Sequence, residues 1–170
     1  MDFDNREQSV QKKKGFKFEG NDQNADDAFL EYARAQTLKL STREFYQWMN
    51  NEAGQMVLGA TAWFRVIKKE QGEIEFRAAV NMGAFKVGGQ DYTDLISYVV
   101  EHEAFEGLQK CKYGFDKKTD GPMHDQALEM EFRKALADGK AERLMEWITQ
   151  IKPAKIESVK KVYEKVTNKE

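Results

Sequence analysis

The sequence predicts a mainly α-helical fold in a single domain, with an α+β fold that contains a small hairpin around residues 61–80 as the alternative. The chain has 170 residues, of which 41% are hydrophobic and 33% charged, enough for one packed core beneath a charged surface. Apolar residues recur at helical spacing through most of residues 24–168, and strand-like alternation is confined to one short stretch. These patterns favour helices as the main element.

Residues 1–23 differ from the rest of the chain in composition. They carry mixed charge, including three consecutive lysines, and their apolar residues have no helical period. Because such a segment buries little apolar surface, we expect a flexible or extended N-terminal arm, followed by one globular domain of residues 24–168.

Two helices are predicted at the start of this domain. Behind Asn24 as a cap, apolar residues at helical spacing predict a first helix that reaches Leu38. Ser41 is followed three residues later by Glu44, which is a capping-box sequence, so a second helix is expected to begin there.

Residues 53–82 allow two interpretations. Apolar residues occupy every second position from Ile74 to Val80, residues 62–66 also alternate, and residues 68–72 suit a turn, which together predict a β-hairpin. The same segment also fits one helical face, which includes Met56, Ala60, Trp63 and Ile67. A helix therefore remains the alternative.

The C-terminal half is predicted to be helical. Asp91 or Thr93 can cap a helix that contains His102. Pro122 suits the first turn of the next helix, and Gly139 suits its C-terminal stop. Two further helices are expected beyond that glycine.

Composition limits the classes of partner and location. With 27 basic and 29 acidic side chains the net charge is −2, so no attraction to a phosphate backbone is expected and nucleic acid is not a predicted partner. The lone Cys111 cannot form an intramolecular disulfide and the first ten residues lack an apolar signal core, so we expect a cytoplasmic location. Residues 56–67, the longest apolar-looking stretch, are too few and too polar to span a bilayer, so no membrane role is expected.

Both histidines of the chain fall on predicted inward helix faces together with glutamates. His102 and Glu106 lie one helical turn apart within an apolar stripe, and His124 and Glu131 share such a stripe on the next helix. Burying these groups without partners is costly. Either the two pairs satisfy one another, or a cation satisfies them, or the site is open to water.

A metal ion is one consistent explanation of this pattern. The spacing of His102 and Glu106 presents two ligands to one ion, and His124 can supply a third. Glu131 is then a fourth ligand, or the acceptor that orients an imidazole. Imidazoles with carboxylates suit a divalent transition metal, zinc first but also iron, manganese or nickel, better than magnesium or calcium.

The histidine helix carries a recognisable motif. Residues 99–106 read VVEHEAFE, which resembles the HExxH helix of zinc-dependent peptidases with Glu106 in place of the second histidine. A closer resemblance is to small, mostly uncharacterised proteins with a minimal zincin-like core, in which HExxE is followed by HxxAxxxE, here His124, Ala127 and Glu131. The resemblance covers residues 92–137.

This resemblance implies a metal-dependent hydrolase of the peptidase type. It implies that His102, Glu106 and His124 are metal ligands, and that Glu103 is the general base that activates water. The glutamate in place of the second histidine ligand would weaken the metal as a Lewis acid, so we expect hydrolytic activity at most.

Two other functions fit the same residues. In one, His102 and His124 are structural and bond to Glu131 and Glu106 across a helix pair, as a satisfied polar layer. In the other, the chain is a metal-free helical interaction module, in which the apolar faces of the last two helices and the charged arms bind a protein partner or a second copy in a homo-oligomer.

Overall fold

The computed structural model describes residues 15–114 and 122–168. Within them the fold is mainly helical with a small amount of sheet, which confirms the predicted class at that level. The helices are α1 (Gln23–Gln36), α2 (Thr42–Ala53), α3 (Ile96–Tyr113), α4 (Pro122–Ala137), α5 (Ala141–Ile151) and α6 (Ile156–Thr167). The strands are β1 (Phe16–Lys17), β2 (Thr37–Leu40), β3 (Ala62–Lys68), β4 (Glu73–Asn81), β5 (Lys86–Val87) and β6 (Gln90–Asp91).

The main sheet is organised around β4. Strand β3 pairs with it antiparallel from Ala62 opposite Val80 to Lys68 opposite Ile74, which confirms the predicted hairpin. On the other edge of β4, β1 pairs antiparallel with its start and β2 pairs parallel with its end. The helical alternative for residues 53–82 is wrong, because β4 is buried on both faces and its strand pairs outweigh the weaker helical spacing.

The first helix differs from its prediction at both ends. Its cap is Asp22, whose carboxylate accepts a hydrogen bond from the backbone N–H of Ala25 at 3.0 Å, and not Asn24. The helix ends at Gln36, and Leu38 lies in β2 opposite Ala79. Pairing with β4 provides this segment with ladder hydrogen bonds, which local apolar spacing could not reveal.

The predicted start of α2 and the predicted bounds of α4 agree with the structure, whereas the predicted cap of α3 does not. Ser41 begins α2 through a capping box with Glu44. Neither Asp91 nor Thr93 caps α3: Asp91 accepts a hydrogen bond from the N–H of Thr93 at 2.9 Å, and a short 3₁₀ turn then leads to Leu95, which is the cap position of α3 and makes no side-chain cap bond. Pro122 begins α4, and Gly139, with φ 73°, follows its last turn.

Part of the predicted N-terminal arm lies in the described residues. Phe16 and Lys17 form the edge strand β1, and the ring of Phe16 stacks on Tyr32 of α1 at 5.0 Å between centroids. Residues 1–14 of the arm lie outside the described residues.

Helix α3 lies between two apolar clusters. On one side Ala104 and Leu108 pack with Phe29 of α1 and Phe76 of β4. On the other side residues of α3 join a larger cluster with α4, α5 and α6, which includes Val99, Phe132, Leu144, Trp147 and Val162. Because α3 is enclosed in this way, its polar residues His102 and Glu106 are buried. No helix in the described residues is long and apolar enough to cross a bilayer.

The packing of α3 on the sheet predicts the effect of one methyl group. A Cβ atom at Gly107 would lie 2.5 Å from Cε1 of Phe76. Alanine is the better helix former by ~1 kcal/mol, but overpacking costs about 1–3 kcal/mol. We expect Gly107→Ala to lower the free energy of unfolding, measured by urea denaturation, and Gly107→Ala combined with Phe76→Leu to recover part of the loss. An equally stable or more stable Gly107→Ala protein would show that the contact is not tight.

Candidate metal centre

His102 is held by two carboxylates from two helices. Its Nδ1 donates a hydrogen bond to Oε1 of Glu131 on α4 at 2.7 Å, and its Nε2 lies 2.9 Å from Oε1 of Glu106, one turn along α3. All three side chains are buried. Burial alone would lower the pKa of His102, but the hydrogen bonds with Glu106 and then Glu131 outweigh it and hold the pKa well above 6.5.

Glu106 lies between the two imidazoles. Its Oε2 is 3.7 Å from Nδ1 of His124, and the two histidine rings are 5.0 Å apart between centroids. Burial raises the pKa of Glu106, but the hydrogen bond from His102 and the two neighbouring histidines bring it below its ordinary value. The same Oε2 is buried and receives no hydrogen bond from any described residue.

The ligand-type atoms of His102, Glu106 and His124 converge. One such atom from each residue lies within 4.8 Å of the other two. Ligand atoms that lie about 2.0–2.2 Å from a tetrahedral zinc ion are about 3.5 Å from one another. Side-chain movements of up to about 1 Å per residue would therefore bring the three atoms to one ion, and this group could bind a metal.

A small cavity opens beside these residues. Its volume is about 100 Å³. Its polar wall contains the His–Glu cluster, by which we mean His102, Glu106, His124 and Glu131, together with Glu103, Thr61 and Lys152. Its apolar wall consists of Ala62, Val99, Trp147, Ile148 and Ile151. The cavity is therefore bounded by β3, α3, α4 and α5, and it offers room for a small group only.

Glu103 faces the cavity without a partner among the described residues. Burial, and secondly the charge of Glu106, raise the pKa of Glu103 to about 8, although the charges of His102 and Lys152 oppose this rise. A carboxyl group whose pKa lies near neutrality can both accept and release a proton under ordinary conditions.

The predicted site residues meet in the structure. His102, Glu106 and His124 form the convergent group, and Glu103 faces the same cavity. Glu131 contacts the far side of the His102 ring, which matches the orienting role more closely than that of a fourth ligand. The sequence prediction missed Thr61 and Lys152, because neither belongs to a local motif and only tertiary packing brings them to the cavity.

Comparison of the chain with protein-family models, curated proteins and solved structures gave no match. The resemblance to zincin-like proteins therefore rests on the two short motifs alone. The side chains between α3 and α4 are the basis on which a function can be inferred.

The contact between His102 and Glu131 predicts that Glu131→Ala destabilises the chelator-treated protein more than Glu129→Ala does. We expect Glu131→Ala to lower the free energy of unfolding by about 1–3 kcal/mol, because it leaves a buried imidazole N–H unsatisfied. Glu129→Ala on the same helix removes only surface ion pairs with Arg133 and Lys165 and should cost less than ~1 kcal/mol. Urea denaturation of both variants measures the difference, and equal losses would contradict a special role for Glu131.

Proposed function

We propose that this protein binds a divalent transition metal ion, most readily zinc, through His102, Glu106 and His124. The observation that carries the proposal is the buried Oε2 of Glu106, which receives no hydrogen bond from a described residue and lies 3.7 Å from Nδ1 of His124. An unsatisfied buried oxygen of this kind costs about 1–3 kcal/mol, more when it is charged. A cation between the three side chains would remove that cost.

The surroundings of His102 support a zinc-type site. Glu131 holds Nδ1 and thereby fixes the ring with Nε2 directed at Glu106. A carboxylate behind a metal-binding imidazole is the usual support for such a ligand. Two imidazoles and one carboxylate make three protein ligands, and a tetrahedral ion would retain one open position.

We further propose that the site hydrolyses an amide or ester bond. A metal ion bound there would lower the pKa of a water molecule and polarise a carbonyl group. Glu103 would accept a proton from the attacking water and pass it to the leaving amine or alcohol, so that a C–O bond forms as the C–N or C–O bond of the substrate breaks. The apolar wall that contains Trp147 and Ile148 would limit the access of bulk water.

The structural alternative explains only part of this arrangement. A satisfied polar layer accounts for the bond between His102 and Glu131. It does not account for His124, whose side chain is 39% exposed and 3.7 Å from the nearest carboxylate oxygen of Glu106, nor for the unbonded oxygen between them.

A metal-free interaction module is the second candidate. The apolar faces of α5 and α6 are buried within the chain, so they are not free to dock a partner. Among the described residues, three neighbouring exposed apolar side chains lie instead in the loop before β3, where Met56, Val57 and Leu58 are 55%, 46% and 82% exposed. Such a patch suits a protein contact.

Metal content separates the two candidates. We expect the purified, untagged protein to contain one equivalent of metal by elemental analysis and to melt at a lower temperature after chelation, because binding to the folded state adds to stability, about 4 kcal/mol at a free concentration 1,000 times Kd. His102→Ala should lose both the metal and the response to chelator.

His124→Ala is the milder companion variant, because the side chain of His124 is 39% exposed and its ion pair with Glu106 is long, at 3.7 Å. It should lose metal while keeping the stability of the chelated protein. A metal-replete His102→Ala protein, or an unchanged protein without metal and with a chelator-insensitive melt, would refute the metal site.

The role of Glu103 has its own test. We expect Glu103→Gln to retain one equivalent of zinc but to lose hydrolysis of small amides and esters by a factor of about 10²–10⁴, the usual contribution of a general base. Glu129→Gln is the matched control on the surface of α4 and should keep full activity. A fully active, zinc-loaded Glu103→Gln protein would exclude Glu103 as the base.

A further inference from the structure

The cavity contains polar groups that the His–Glu cluster does not use. His102, Glu106 and Glu131 bond to one another, with His124 beside them. Thr61 and Lys152 also line the cavity, but neither side chain makes a hydrogen bond or ion pair with another described residue. Their donors are therefore free for a ligand.

The position of Lys152 is fixed by its backbone. Its N–H donates to the carbonyl of Ile148 at 2.9 Å, its own carbonyl accepts from Lys155 at 3.0 Å, and Pro153 follows. A lysine at a helix C-terminus commonly donates to the last free carbonyls. The Nζ of Lys152 makes no such bond within the described residues, although the side chain is half-buried.

The surroundings strengthen the electrostatic interactions of this ammonium group. Three apolar residues of the same helix, Trp147, Ile148 and Ile151, form the neighbouring wall of the cavity. Charge interactions gain strength where apolar side chains displace water. The carboxylates of Glu106 and Glu131 are occupied by His102, and Lys152 makes no ion pair with either of them. Its charge acts on Glu103 without a hydrogen bond, by lowering the pKa of that carboxyl group.

We propose that Lys152 binds a carboxylate of the substrate, with Thr61 donating a second hydrogen bond to it. The substrate class is an amide that carries a free carboxylate a few bonds from the scissile carbonyl, as the last residue of a peptide does. The small cavity volume, about 100 Å³, restricts the group beyond the scissile bond to a single small residue. This inference rests on the proposed metal site, because the reacting carbonyl is placed there.

Two probes of equal length separate the inference from the proposed function. Both carry a hydroxamate, which binds zinc through two oxygens; one is the monohydroxamate of succinic acid, and the other has a carboxamide in place of its free carboxylate. We expect the zinc-loaded full chain to bind the carboxylate probe roughly tenfold more tightly at low salt, measured by titration calorimetry, because only the carboxylate can accept a charge-assisted hydrogen bond from Lys152; tenfold corresponds to about 1.4 kcal/mol.

Variants at two lysines locate the preference. Lys152→Gln should bind both probes equally, whereas Lys152→Arg should retain a preference because it keeps the charge. Lys155→Gln is the matched control, since Lys155 is exposed, lies three residues away and does not line the cavity. It should keep the full tenfold preference.

The outcomes are distinct. Equal binding of the two probes by the unchanged protein, or a preference that survives in Lys152→Gln, would overturn the inference and leave the metal site standing, because both hydroxamates still bind. Failure of both probes to bind, together with absence of zinc by elemental analysis, would refute the proposed function and this inference with it. If Lys152→Gln does not fold, equal binding of the two probes by the unchanged protein still overturns the inference.

Discussion

The pair of carboxylates around His102 is the interaction on which the candidate site depends. One carboxylate belongs to the same helix and the other to α4, so the imidazole joins two helices by contacts of 2.9 and 2.7 Å. Removing either partner would leave a buried polar group without compensation. The position of α4 relative to α3, and hence of His124 and the cavity, is linked to this one ring.

The fold encloses that ring by giving α3 two partners. Strand β4 and α1 pack against one side of the helix, and α4, α5 and α6 pack against the other. Gly107 permits the close approach to Phe76 on the sheet side. A helix covered on both sides can bury polar residues as well as apolar ones, and the chain uses this position for His102 and Glu106.

Charge in the site is incompletely balanced within the described residues. His102 neutralises its two carboxylate neighbours in part, yet one oxygen of Glu106 remains unbonded, and Glu103 and Lys152 face the cavity without direct partners. Unsatisfied groups that converge on one space are more typical of a binding site than of a packed core. The free oxygen of Glu106 is suited to contact with a cation, Glu103 to proton transfer and Lys152 to contact with an anion.

Local chemistry made several features predictable from the sequence. Ser41 and Glu44 form a capping box, Pro122 begins a helix and Gly139 follows one, because each depends on contacts within a few residues. The alternation of apolar residues in β4 was also predictable. So was the shared helix face of His102 and Glu106, since four residues make about one helical turn.

Tertiary structure decided the rest. Leu38 lies in strand β2 and not in the predicted helix, because it pairs with Ala79 of β4, a residue far away along the chain. The role of Glu131 depended on how α4 packs against α3, and Lys152 reached the cavity only through the placement of α5. These three placements depend on the burial of apolar surface between segments that are distant in the sequence. The free energy of that burial depends on the whole fold, so the local spacing of residues does not reveal it.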